Sequence, residues 1–131
     1  MKFKIVLSVF GLMSVMLTES CTTNTVSSPE VNETSITTIT SPTSAIVNDN
    51  VEITVNFLGP NGCAEAYNIK AVKVGQTITL KAFYSLANPD AICTQALVPL
   101  QLNYSFFADL PGPYFFISSM DNTISDTLVI Y

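Results

Sequence analysis

The sequence predicts an all-β fold, an antiparallel β-sandwich of about seven short strands, and three observations predict it. Several segments alternate apolar and polar side chains with period two, which sets one face of an extended chain on a core. Gly, Pro and Asn-Asp clusters punctuate those segments at intervals of about ten residues. Beyond the N-terminal apolar run, no stretch repeats apolar residues at helical spacing.

Taken in order, Val51, Ile53, Val55 and Phe57 alternate with Glu52, Thr54 and Asn56, and Gly59-Pro60-Asn61-Gly62 turns the chain. Cys63 to Val74 is looser, with Tyr67, Ile69 and Ala71 on one parity, and Gly75-Gln76 turns it back. Ile78, Leu80, Ala82 and Tyr84 then alternate with Thr77, Thr79 and Lys81. The loop Ala87-Asn88-Pro89-Asp90 leads to Cys93. Val98 to Phe106 alternates again, and Pro99, which cannot donate to a ladder, suggests an edge or a bulge. Leu110-Pro111-Gly112-Pro113 breaks the chain before Tyr114–Ser118. Asp121-Asn122-Thr123 reads as a hairpin turn, and Ile124–Tyr131 as the closing strand. The domain is expected to span residues 45–131.

Ahead of it, Met1–Ser20 has the make-up of an export signal. Lys2 and Lys4 supply the positive end, and Ile5–Leu17 is an apolar run of thirteen residues, too short for a bilayer-spanning helix, which needs about 20. Residues 22–44 contain thirteen Ser or Thr in twenty-three positions. Such a segment buries too little apolar surface to offset the entropy of ordering, so residues 21–44 are expected to form a flexible stalk. Thr34–Thr40, β-branched except at Ser35, has the composition to dock as an edge strand.

Leu17-Thr18-Glu19-Ser20-Cys21 resembles the lipobox of bacterial lipoproteins. The resemblance implies that Cys21 is lipidated and becomes the first mature residue. It implies a membrane partner through the lipid, and, with Thr22 rather than Asp after the cysteine, delivery to the outer membrane, facing periplasm or cell surface. Ordinary signal-peptidase cleavage is the alternative, leaving Cys21 as a free thiol on a soluble secreted or periplasmic inhibitor or ligand-binding domain. With Cys21 taken by lipid, Cys63 and Cys93 are left to pair in an oxidising compartment.

The mature chain sets Lys70, Lys73 and Lys81 against nine carboxylates, a net charge of about −6, with no Arg and no His. Phosphate backbones require clustered Lys or Arg, so nucleic acid is not an expected partner.

Asp109 to Phe116, followed by a last strand ending Thr127-Leu128-Val129-Ile130-Tyr131, resembles the final two strands of bacterial immunoglobulin-like domains. Gly62-Cys63 with Cys93-Thr94 is similar to a pattern in uncharacterised Bacteroidetes lipoproteins. The resemblance implies an immunoglobulin-like sandwich and a tyrosine corner at Tyr114, its hydroxyl capping upstream backbone. The chain departs from antibody domains in having no Trp and a short Cys63–Cys93 spacing.

For chemistry, a Ser or Cys nucleophile would have no imidazole base here, and no carboxylate spacing marks an acid–base pair, so the domain is expected to be non-enzymatic and cofactor-free. Asp and Asn around residues 121–126 and 48–50 suit Ca²⁺ by type, but such residues also serve turns by bonding local backbone, and no metal site is expected. The adjacent pairs Phe106-Phe107 and Phe115-Phe116 each send one ring outward in a regular strand. Phe107 and Phe115, with Tyr131 or Phe83, are the candidate platform for a protein or glycan on an otherwise monomeric module. Asp126-Thr127-Leu128 resembles a Bacteroidetes O-glycosylation acceptor.

Overall fold

The computed structural model describes residues 28–131. The expected export signal, Cys21 and the beginning of the expected stalk lie outside the described residues. Among those described there are nine strands and no helix: β1 Glu30–Thr34, β2 Ile36–Thr40, β3 Ser44–Ala45, β4 Asn50–Gly59, β5 Ala64–Val74, β6 Thr77–Leu86, β7 Val98–Phe107, β8 Gly112–Ser118 and β9 Ser125–Ile130. They form two facing sheets.

The larger sheet is organised around β6. Its whole length pairs antiparallel with β5 on one side. On the other side its first half pairs parallel with β8 and its second half antiparallel with β1. Beyond β8 come β9, antiparallel, and β3, parallel to β9. The smaller sheet has the order β2-β4-β7, antiparallel throughout. β7 is an edge strand, in keeping with Pro99 near its start.

The alternating residues point as their period requires. Val51, Ile53, Val55 and Phe57 of β4 and Phe106 of β7 meet Ile78, Leu80 and Ala82 of β6, Tyr114 and Phe116 of β8, and Leu128 and Ile130 of β9. Each large apolar side chain buried this way contributes about 1.5–3 kcal/mol. The two sheets lock at Phe106, whose ring meets Tyr114 edge-on at 5.0 Å and Phe116 at 5.3 Å.

Three sequence expectations change. Residues 30–44 are not stalk: β1 joins the larger sheet and β2 the smaller, and Ile36 and Ile39 are buried in the core. Their composition is polar, yet the shift in pairing register between Ile36 and Thr38 lets both isoleucines face inward three residues apart. The nine strands, against about seven expected, follow from this. Second, Tyr67 does not share the inward parity of Ile69 and Ala71. A bulge between Ala66 and Asn68 leaves Tyr67 exposed while Ala66, Ile69 and Ala71 pack on the core. Third, the pairing is antiparallel except at β6–β8 and β3–β9, because β8 and β3 arrive by connections that cross from one sheet to the other.

Turn chemistry fixes the reversals. Gly75, at φ 61°, makes the two-residue β5–β6 hairpin, and Asn48, at φ 69°, takes a left-handed conformation that Asn tolerates.

Candidate functional site

Cys63 sits at the β4–β5 corner and Cys93 in the loop between β6 and β7, and they form a disulfide with Cα atoms 5.5 Å apart. Both segments cross between sheets, so the bridge ties two crossovers at one end of the sandwich rather than sheet to sheet. The Gly62 amide donates to the Thr94 carbonyl at 2.9 Å, and a Cβ at Gly62 would strike the Thr94 hydroxyl, so the close approach of the two loops requires glycine there.

Of the polar groups that by type suit a metal, the Asp121 and Asp126 carboxylates are engaged by hydrogen bonds within the fold. Asp121 Oδ1 accepts from the Thr123 hydroxyl at 2.6 Å and from the Thr123 amide at 3.0 Å. Both bonds favour the ionised carboxylate and hold its pKa below the usual 3.8. Asp49 and Asn48 donate their amides to the Ile46 and Ala108 carbonyls. Asp126 Oδ2 accepts from the amide and hydroxyl of Ser41, at 2.6 and 2.9 Å, and so pins the chain between β2 and β3. Among the described residues no three Cys, Asp or Glu converge on a point where an ion would fit. A shallow hollow of about 210 Å³ between β2 and the β8–β9 turn is lined by Thr37, Thr38, Ile39, Thr123, Ile124 and Ser125. It offers hydroxyls but no general acid or base.

The four platform aromatics are not brought together. Phe107 is outward on the smaller sheet and 52% exposed; Phe115 is outward on the larger sheet and 43% exposed. Because Phe106 and Phe116 point at each other across the core, their neighbours point to opposite faces of the sandwich. Phe83 does share the face of Phe115, but Phe115 lies beside Thr77, six residues back along β6 and so about 20 Å away. Phe83 is also half-buried, with the Lys70 ammonium 4.9 Å above its ring. Phe107 and Tyr131 occupy the same end, on either side of the β3–β4 connection, since Asn50 pairs with Phe107 and Val47 donates to the Tyr131 carbonyl; Phe115 lies towards that end too, on the outer face of the larger sheet beside Thr77.

Several exposed apolar side chains stand at that end, and two others, Ile92 and Leu97, stand in the Cys93 loop at the opposite one. Ile46, Val74, Leu110 and Tyr131 are each more than three-fifths exposed. Backbone bonds from Asn48 to Ala108 and from Phe115 to Gln76 hold their loops together, and an ion pair from Lys73 to Asp109 at 3.3 Å adds a further tie. Sequence reasoning passed over Ile46, Val74 and Leu110. Their signal was positional, since each precedes a turn (Val47-Asn48, Gly75-Gln76, Pro111-Gly112) where a polar residue is usual. The opposite end is where the chain enters: Glu30 pairs with Leu86, beside the disulfide-tied loops. From Leu86 to Thr77 the strand β6 spans about 30 Å, so entry point and apolar end lie at opposite poles.

Neither a search among curated proteins nor one among solved structures returns a match. A family model described as the ORF11 beta-sandwich domain matches residues 51–128, more than half of the chain and the stretch from β4 to β9, which makes the chain a member of the ORF11 beta-sandwich domain family.

Proposed function

We propose that the chain is an exported bacterial envelope lipoprotein, anchored through lipidated Cys21 in the outer membrane, whose sandwich acts as a non-enzymatic binding module. The observation that carries this reading is polarity: the chain enters the fold at the disulfide-tied pole, and Ile46, Leu110, Phe107 and Tyr131 stand exposed at the other, while the exposed Ile92 and Leu97 belong to the entry-pole loop. A tether at the entry pole would turn Ile46, Leu110, Phe107 and Tyr131 away from the bilayer and towards a protein or glycan partner. Exposed apolar clusters of this kind commonly mark interaction sites.

Eight residues separate Cys21 from Glu30, and even fully extended they span no more than about 30 Å. The entry pole would thus be held near the headgroups. Two or more acyl chains hold a protein at a bilayer far more firmly than one, so the anchoring would be permanent.

Intact mass of the mature protein decides between this and the soluble alternative. An acyl adduct on Cys21, with membrane fractionation lost in Cys21→Ala, is the expected result. An unmodified mature N-terminus and a soluble fraction would replace the anchored reading by that of a released ligand-binding or inhibitory domain. Leu110→Asp and Ile46→Asp should abolish partner capture by the apolar end without altering the fold.

A further inference from the structure

We infer that the open edge of β5 is a docking strand for an extended, otherwise neutral segment of a protein partner that carries one carboxylate, with Lys70 and Lys81 reading that carboxylate. Two independent observations meet there. First, β5 is eleven residues long, pairs only with β6, and presents Val72 and Val74 to solvent at 54% and 73% exposure. A long edge strand with free amides and carbonyls and apolar side chains is a template for strand addition. Second, Lys70 and Lys81 stand directly opposite each other on β5 and β6. Both point outward, since Ile69, Ala71, Leu80 and Ala82 take the inward positions.

Like charges directly opposite on a sheet repel, and a locally unfavourable choice of this sort marks a site when nothing in the fold asks for it. Lys70 alone would serve as a guard against edge pairing, but Lys81, on a strand paired on both sides, guards nothing. The domain has only three lysines. Lys73 is engaged by Asp109, whereas Lys70 and Lys81 make no ion pair among the described residues. Lys70 is instead held with its ammonium over the Phe83 ring. Glu33, opposite Phe83 on β1, accepts from the Ser119 hydroxyl at 2.7 Å.

Charge selects the occupant. At a net charge near −6 the domain repels polyanions, so a single carboxylate on an otherwise neutral chain is the favoured complement. A second copy docking by the same edge would bring its own Lys70 beside a pair that is already cationic. A partner strand laid along β5 would set its acidic side chain beside Lys70, relieve the repulsion with Lys81, and rest apolar neighbours on Val72 and Val74. The inference needs only the sandwich and is independent of lipid on Cys21.

The test is an amide NMR titration of the mature chain with a short peptide alternating Thr and Val around one central Glu, beside the same peptide carrying Gln. Shifts should concentrate on residues 69–74, with the Glu peptide about 2- to 5-fold tighter. Lys70→Gln should remove that preference and Lys70→Glu reverse it, with spectra outside β5 and β6 unchanged. Absence of binding, equal affinity for both peptides, shifts elsewhere, or concentration-dependent self-association through β5 would overturn the inference. Leu110→Asp, which tests the apolar end, should leave this titration untouched.

Discussion

The Tyr114 hydroxyl donates to the Leu110 carbonyl at 2.8 Å from a ring that is 1% exposed. Leu110-Pro111-Gly112-Pro113 has few backbone donors, since two of its four residues are proline, and Gly112 turns at φ 125°. The phenol therefore fixes a connection that crosses between the sheets and that the backbone alone bonds weakly. This is the tyrosine corner that the family resemblance implied.

Tyr114→Phe keeps the ring and removes the bond. It should lower stability by about 1–2 kcal/mol, because the part-buried Leu110 carbonyl loses its partner. In urea the midpoint should fall with an unchanged slope, and an unchanged midpoint would mean that the corner holds without its hydrogen bond.

Residues 30–44 are part of the domain, and the expected outcome of cutting them away follows. Ile36→Ala or Ile39→Ala should cost about 2–4 kcal/mol each, and a chain beginning at Ala45 should lose cooperative thermal unfolding. A stalk would tolerate all three changes, so retention of the full-length melting temperature by the shortened chain would restore the stalk.

What was legible in the sequence is what period-two alternation carries. β4, β6, β7 and β9 lie where Val51–Phe57, Ile78–Tyr84, Val98–Phe106 and Ile124–Tyr131 put them, β9 one residue shorter at each end. Two kinds of information were not local. The β-branched run Thr34–Thr40 did show the edge strand that β2 forms, but the burial of its two isoleucines rests on an irregular register that composition does not display. The partners of each strand depend on crossovers, so the sequence could show that Phe107 and Phe115 face outward but not that they face opposite ways. Lys70 and Lys81 are eleven positions apart in sequence, and their juxtaposition follows from the two-residue Gly75 hairpin, whose register runs unbroken from Val74 and Thr77 to this pair.

The adjacent aromatic pairs should separate sharply on substitution. Phe106→Ala and Phe116→Ala remove rings from the sheet-to-sheet contact and should each cost about 3–5 kcal/mol. Phe107→Ser and Phe115→Ser should each cost under about 1 kcal/mol. Chemical denaturation of the four variants checks the ordering, and a large loss at Phe107 would place that ring in the core.

Asp121 supplies a pH marker. The Thr123 hydroxyl, and then the Thr123 amide, hold its folded-state pKa below 3.8. Its contribution is thus fully present above the unfolded-state value and is lost as pH falls through the lower folded-state value. Carboxyl NMR titration should find a midpoint under 3.8, and Thr123→Val, which removes the larger cause, should move it part of the way back. A midpoint that ignores the substitution would assign the shift to another source.

The disulfide between Cys63 and Cys93, thirty residues apart, should prove the largest single covalent contribution to stability. On the chain-entropy model a closed loop of that length is worth roughly 3–4 kcal/mol, a large share of the 5–15 kcal/mol that holds a typical domain. The native geometry gives the reduced protein little to fall back on. Residues 87–97 are exposed apart from half-buried Cys93, and the Gly62–Thr94 backbone bond is the main remaining tie to the β4–β5 corner. Thiol titration of denatured, unreduced protein should find neither cysteine free, and Cys63→Ser with Cys93→Ser should lower the urea midpoint by the amount given. Two reactive thiols in the unreduced protein would remove the staple, and an intact bridge whose deletion left the midpoint unchanged would transfer the closure of that pole to the loop–loop backbone contact.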